Sequence, residues 1–340
     1  MRTILVIPIT ALTIGAVVLF TACSGAGLQT VSSALPAAGP TTNQSVVGHT
    51  GLWRSGIAPK FLRDMRLGGH VPPARLDIVK VPTELAVSDF ETGAVEVLNN
   101  SYRLGSTITK GLNGPDGDGY DGENNLYVAN YEGVNVTEYN EKEKKTFSYS
   151  MGLIDPVDVT TDTSGNVYVA DFGNNEPSVV VEYPQGTNTP IASCSTGLAN
   201  EGVAVDKKGN VFVSGQDFAS GYGDVLKYAG GFSGCKATTV LSFLGYAGGL
   251  QIDRKGNLAV CDQRYGVVYV MPPPYKHIPW VIGGATDAFH IALDKSNQLI
   301  FIADPAGMDV LVDDYPTGKY VKTLNSSNGI SDPLGVAASL

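Results

Sequence analysis

At 340 residues with 43% hydrophobic side chains, the chain is long enough for one large domain or two small ones. Its 41 glycines and 19 prolines suit short strands and tight turns and argue against long helices. A formal net charge of −10, with no basic stripe along the sequence, excludes the usual nucleic-acid binder, because the chain would repel phosphate backbones.

The N-terminus carries one arginine, an apolar run from Ile4 to Phe20, and then Thr21-Ala22-Cys23. This is the pattern of an export signal. Its ending resembles a bacterial lipobox, in which a small residue precedes a cysteine that is cleaved and lipidated; Phe20 stands where leucine is usual. Residues 1–23 are expected to be a signal peptide with lipobox, and Cys23 the lipidation site. The protein is then exported and held by its lipid at a membrane surface of the cell envelope. Residues 24–75 are rich in Gly, Ala, Ser, Thr and Pro without a sustained period, the composition of a flexible linker.

Strand signals begin with "ELAVSDFETGAVEVL" (84–98). The next segment, "NGPDGDGYDGENNLYVANY" (113–131), looks like a calcium loop, with Asp116, Asp118, Asp121 and Glu123 among glycines. Counted from Asp116, however, Asp121 falls where an EF-hand needs glycine and Tyr127 where it needs a bidentate glutamate. The shape of its second half then recurs. "YDGENNLYVAN" is followed by "TDTSGNVYVAD" (161–171), "VDKKGNVFVSG" (205–215), "IDRKGNLAVCD" (252–262) and "LDKSNQLIFIAD" (293–304). Each copy has an acidic anchor (Asp121, Asp162, Asp206, Asp253, Asp294), a turn, an alternating strand and a second anchor (Asn130, Asp171, Gly215, Asp262, Asp304). Asp121 is therefore expected to hold a hairpin turn rather than a metal.

A strand repeat of this length indicates propeller blades. The blade from Pro156 shows all four strand signals: "PVDVTTD", "NVYVAD", "SVVVEYP" and "TPIASCSTG". Residues 84–98 supply the second and third strands of a blade whose first is missing upstream, with Asp89 as second anchor. "DPLGVAASL" (332–340) matches "DPVDVTTD" and then stops. The expected fold is all-β: a six-bladed β-propeller of four-stranded blades over residues 76–340, closed by the C-terminal strand joining the N-terminal blade.

"PVDVTTDTSGNVYVADFGNNEPSVVVEY" resembles an NHL repeat, whose usual form runs Pro-x-Gly-Val-Ala-Val-Asp-x-x-Gly-Asn-x-Tyr-Val-Ala-Asp. The resemblance implies a six-bladed ring with a central channel. It implies little about chemistry, since the superfamily includes gluconolactonase-like, streptogramin-lyase-like and amidating-lyase-like enzymes as well as receptor ectodomains and scaffolds. Those enzymes gather a glutamate, an asparagine and an aspartate around one ion, or several histidines around zinc. Here the expected propeller holds only His277 and His290, which excludes a histidine-rich site by count.

Candidate binding residues follow from blade alignment. Four places before the first anchor stand Gly117, Asp158, Gly202, Gly249, His290 and, in the last strand, Gly335. Asp158 and His290 interrupt a ring of glycines three blades apart, so they are expected to face each other across the axis. An acid and an imidazole there could bind a divalent cation or act as acid and base. Seven places before the anchor stand Asp155, Asp287 and Asp332; two of them precede proline and suit turns. Glu201 is the one glutamate entering an innermost strand. Cys194 and Cys235 fall in adjacent blades and are candidates for a disulfide, although outer strands splay apart; Cys261 reads as a small buried residue.

The sequence favours a monomeric, non-enzymatic binding or scaffold protein with an unidentified protein or small-molecule ligand. The alternative is a metal-assisted lactonase or lyase at the channel mouth. No cofactor is expected, although the channel acids could take a divalent cation such as calcium.

Overall fold

The structure, a computed structural model, describes residues 84–173, 178–278 and 280–339. The expected signal peptide with Cys23, the linker of residues 24–75 and the first residues of the expected propeller lie outside the described residues. The described residues form six four-stranded antiparallel sheets.

Blade 1 contains β1 (Glu84–Asp89), β2 (Ala94–Asn99) and β3 (Leu104–Ile108). Blade 2 contains β4 (Pro115–Tyr120), β5 (Leu126–Asn130), β6 (Asn135–Tyr139) and β7 (Lys145–Tyr149). Blade 3 contains β8 (Pro156–Thr161), β9 (Val167–Asp171), β10 (Val179–Tyr183) and β11 (Ala192–Ser195). Blade 4 contains β12 (Ala199–Val205), β13 (Val211–Asp217), β14 (Tyr222–Tyr228) and β15 (Ala237–Leu244). Blade 5 contains β16 (Ala247–Ile252), β17 (Leu258–Asp262), β18 (Val267–Met271) and β19 (Trp280–Gly283). Blade 6 contains β20 (His290–Leu293), β21 (Leu299–Asp304), β22 (Asp309–Asp314) and β23 (Lys319–Leu324).

The last strand, β24 (Pro333–Ala338), completes blade 1 as its innermost strand, with Leu85 opposite Ala338 and Val87 opposite Val336. The innermost strands touch in ring order, β24, β4, β8, β12, β16, β20 and back to β24. At the seam, Leu85, Val87 and Val336 pack with Phe301, Val310 and Val312 of blade 6. Blades cover one another on both faces, so second strands such as β5 and β9 are buried along their whole length. The alternation expected of these strands therefore does not correspond to one buried and one exposed face. Outer strands face solvent, and β3 is mostly exposed.

The two sets of anchors hold the two faces of the ring. Asp121 Oδ1 accepts the N–H groups of Glu123 and Asn125 at 2.8 Å each, and its Oδ2 accepts Asn125 Nδ2 at 2.8 Å. Asp162, Asp206 and Asp253 repeat this arrangement. Gly165, Gly209 and Gly256 turn these loops at φ +85°, +73° and +84°, values that favour glycine. We call this side the turn face. On the opposite, connection face, Asp89, Asp171, Asp262 and Asp304 accept N–H groups from the segment entering an innermost strand.

Candidate functional site

The six ring positions do not surround an open bore. Asp158 on β8 and His290 on β20 meet across the axis, with Nε2 3.0 Å from Oδ1. The glycines make room for this contact. A Cβ on Gly117 would stand 2.6 Å from Asp158 Oδ1, and one on Gly249 2.4 Å from His290 Cδ2. At Gly335 a Cβ would stand 2.1 Å from the Asp116 carbonyl oxygen. Every polar atom of the pair has a protein neighbour. Asp158 Oδ1 also accepts the Val159 N–H at 2.8 Å, and Oδ2 accepts the Val203 N–H at 2.8 Å. The Val336 N–H points at His290 Nδ1 from 3.5 Å. Both side chains are buried.

A cavity of about 170 Å³ lies beside the pair, lined also by Asp118, Tyr120, Thr160, Gln251 and Leu293. These residues follow the ring positions along their strands. The cavity therefore extends towards the turn face.

The electrostatics are those of a buried cluster. Burial alone would lower the His290 imidazole, but the adjoining Asp158, with Asp118 and Asp116 behind it, outweighs burial and pushes it up to about 9. The Val336 amide opposes the second proton. It is a single dipole at 3.5 Å, beyond good hydrogen-bond distance, and the carboxylate at 3.0 Å dominates. Burial pushes Asp116 up to about 8, with His290 pulling the other way and Asp158 and Asp118 adding to the rise. Asp118 is likewise pushed up to about 8, by burial first, against the pull of His290 and the hydrogen bond from Ser88. Ser88 Oγ donates to Asp118 Oδ2 at 3.2 Å, and Oδ1 is buried without a partner.

Asp155, Asp287 and Asp332 lie one to a blade on the connection face, and none hydrogen-bonds to the pair. Their N–H groups donate to Asp171, Asp304 and Asp89 respectively. Burial raises the carboxyl of Asp155. It raises Asp332 with help from Asp89 and Glu91, and takes Asp287, with help from Asp304, to about 7. Glu201 is buried deeper, accepts the Tyr246 hydroxyl at 3.1 Å and is held well above the usual carboxylate range by burial and then Asp116. Among the described residues, no three His, Cys, Asp or Glu side chains stand together as a metal-binding group.

Asp116 and Asp118 hold no calcium loop; they lie in β4, the innermost strand of blade 2. A signal for Asp118 was present. The residue after the ring position is Val159, Val203, Leu250, Ile291 or Val336 in the other five blades, and only blade 2 places an acid there.

Cys194 and Cys235 form a disulfide with Cα atoms 5.4 Å apart. Splaying of the outer strands does not prevent it, because Cys235 lies in a short 3-10 turn, Ser233–Cys235, ahead of β15. Cys261 is free and buried.

No family model matches this chain, and no curated protein matches its sequence. Solved structures match its fold. A chain of the nidogen/laminin complex superposes with a TM-score of 0.59 at 15% identity, covering 76% of this chain and 98% of that one. A functionally unknown protein from Desulfotomaculum acetoxidans gives 0.56 at 13% identity, covering 76% and 99%. A protein of unknown function from Bacteroides caccae gives 0.58 at 15%, covering 75% and 98%. At such identities the likeness is one of fold.

Proposed function

We propose that this chain is an exported, lipid-anchored propeller of the NHL type that works as a non-enzymatic binding module. The observation that carries the reading is the saturation of the Asp158 carboxylate at the axis. A general acid or base has to reach a substrate proton. Asp158 instead gives both oxygens to backbone amides and His290, and so bolts β8 to β12 and β20. The alternative, a metal-assisted lactonase or lyase, needs several ligands around one ion, and the described residues offer no such group.

Where a partner would dock is suggested by the connection face. Val134, Ile154, Phe218, Tyr222 and Met308 are exposed on hairpins and connections of that side in four different blades. Scattered exposed apolar residues are ordinary; several at the rim of one face suit a protein partner. Lipid at Cys23 would hold the domain at the membrane, and replacing Cys23 with serine would release it.

The test is an assay of the purified protein against a panel of lactones and lyase substrates, with and without added calcium. No turnover above background is expected. Turnover that His290→Gln abolishes would overturn the binding reading in favour of the enzyme.

A further inference from the structure

The turn face carries a second cavity, off the axis, between blades 4 and 5. It measures about 510 Å³, within the range of small-molecule sites. Its walls come from the anchor turns of the two blades and from the proline-rich connection of blade 5. Lys207 and Lys208 project from one turn and Arg254 and Lys255 from the other, with Lys227 from β14 between them. Five of the chain's 23 basic residues thus line one cleft of a protein whose formal charge is −10.

These cations are not neutralised locally. The cleft's two acids, Asp206 and Asp253, direct both carboxyl oxygens into their own turns, and Asp253 also takes the Tyr315 hydroxyl. Asp206 accepts from the N–H groups of Lys208 and Asn210 and from Asn210 Nδ2. Asp253 accepts from Lys255, Asn257 and the Tyr315 hydroxyl. Among the described residues the one ion pair is His290 with Asp158, so none of the five cations has a carboxylate within ion-pair distance. Subtracting the two turn aspartates from the five cations still leaves a charge of +3. Lys227 stands over the face of Phe212, 5.4 Å away.

The frame beneath the cations is stiff. The Arg254 N–H donates to Asn297 at 3.0 Å, and Tyr275 is buried, its hydroxyl donating to the Gly256 carbonyl at 3.2 Å and its ring edge-on to Phe212. Exposed cations on a fixed frame favour a ligand that supplies the missing negative charge. Each turn presents two adjacent basic side chains, which suits one phosphate per turn, and arginine's planar fork matches phosphate oxygens.

We infer that the cleft between blades 4 and 5 binds a compact polyanion carrying two or more phosphate groups. The site goes beyond the partner face proposed above, since it lies on the opposite side of the ring and needs no contact with the axial pair. Its phosphates could belong to a free metabolite or to a lipid headgroup, and the experiment separates the two.

Full-length protein in detergent is titrated calorimetrically at low salt with inorganic tripolyphosphate, with orthophosphate, and with a short-chain, water-soluble phospholipid bearing two phosphates. Tripolyphosphate is expected to bind at least tenfold more tightly than orthophosphate, and to weaken as salt is raised. The double variant Lys207→Glu, Arg254→Glu should lose at least tenfold in affinity with an unchanged melting temperature. The control Lys142→Glu, Lys144→Glu, on an exposed hairpin of blade 2, should bind like wild type. Tripolyphosphate binding without lipid binding identifies a soluble ligand; mutually competing binding of both identifies a headgroup. Absence of binding by either probe, or equal losses in the double variant and the control, overturns the site. Failure here would not bear on the lactone and lyase assay, so this site and the binding reading can fail separately.

Discussion

The axis and the cleft between blades 4 and 5 hold ionisable groups in opposite conditions. At the axis, Asp158 and His290 are buried, both Asp158 oxygens accept hydrogen bonds, and His290 Nε2 is paired with Oδ1. In the cleft, Lys207, Lys208, Arg254 and Lys255 are exposed and have no carboxylate partner among the described residues. A buried charge without a partner costs several kcal/mol, so the fold demands satisfaction at the axis. Exposed cations impose no such demand. Satisfied charge at the axis therefore reports on stability, and unsatisfied charge in the cleft reports on ligand.

Three tests break or sharpen this contrast. The largest effect is expected at the axis. His290→Ala leaves the Asp158 carboxylate buried with only amides and should lower the unfolding free energy by about 3–5 kcal/mol in urea titrations, a large share of a typical total of about 5–15 kcal/mol. A loss below about 1 kcal/mol would mean that the pair is not a bolt.

An intermediate effect is expected from pH. Asp116 and Asp118 are raised from 3.8 to about 8, and His290 from 6.5 to about 9. All three hold protons in the folded chain that the unfolded chain has released, so stability falls as pH rises through those intervals. Melting temperature should decline steadily from about pH 5 to pH 9, and Asp118→Asn, which carries no proton to lose, should flatten the decline. A melting temperature that rises over this range would contradict the cluster's electrostatics. The smallest effect is expected in the cleft. Lys207→Glu with Arg254→Glu should change stability by no more than about 0.5 kcal/mol, measured in the same titrations; a larger loss would place these residues in the fold after all.

Much of this was legible in the sequence, and for definite reasons. The anchor turns repeat with little variation because each Asp satisfies its own backbone, so the blade count and the closing strand could be read from spacing. Asp158 and His290 stood out because glycine fills the equivalent place in the other blades, and aligned positions in a ring share a radius. Asp118 was equally exposed by that comparison, against five apolar counterparts, but an acid beside glycines in "PDGDGY" looks like a turn until its strand is known to be innermost. The basic cleft could not be read in this way. Its cations sit on turns of two successive repeats, each an ordinary solvated pair, and only the side-by-side packing of blades 4 and 5 pools their charge. The disulfide depended on a turn reaching beyond its strand, a feature that strand spacing does not encode.

The pairing of β24 with β1 also sets an order of events. The Glu84 N–H donates to the Ser339 hydroxyl across 255 residues of sequence. On a chain that emerges from its N-terminus, β1 waits through the making of five further blades before its inner neighbour exists. Until then its edge is open and free to pair with another chain, and contacts of such long range form slowly. Assembly of the ring is therefore gated by the delivery of β24, and any interruption of synthesis or transport before that strand arrives leaves five blades that can form and one that cannot.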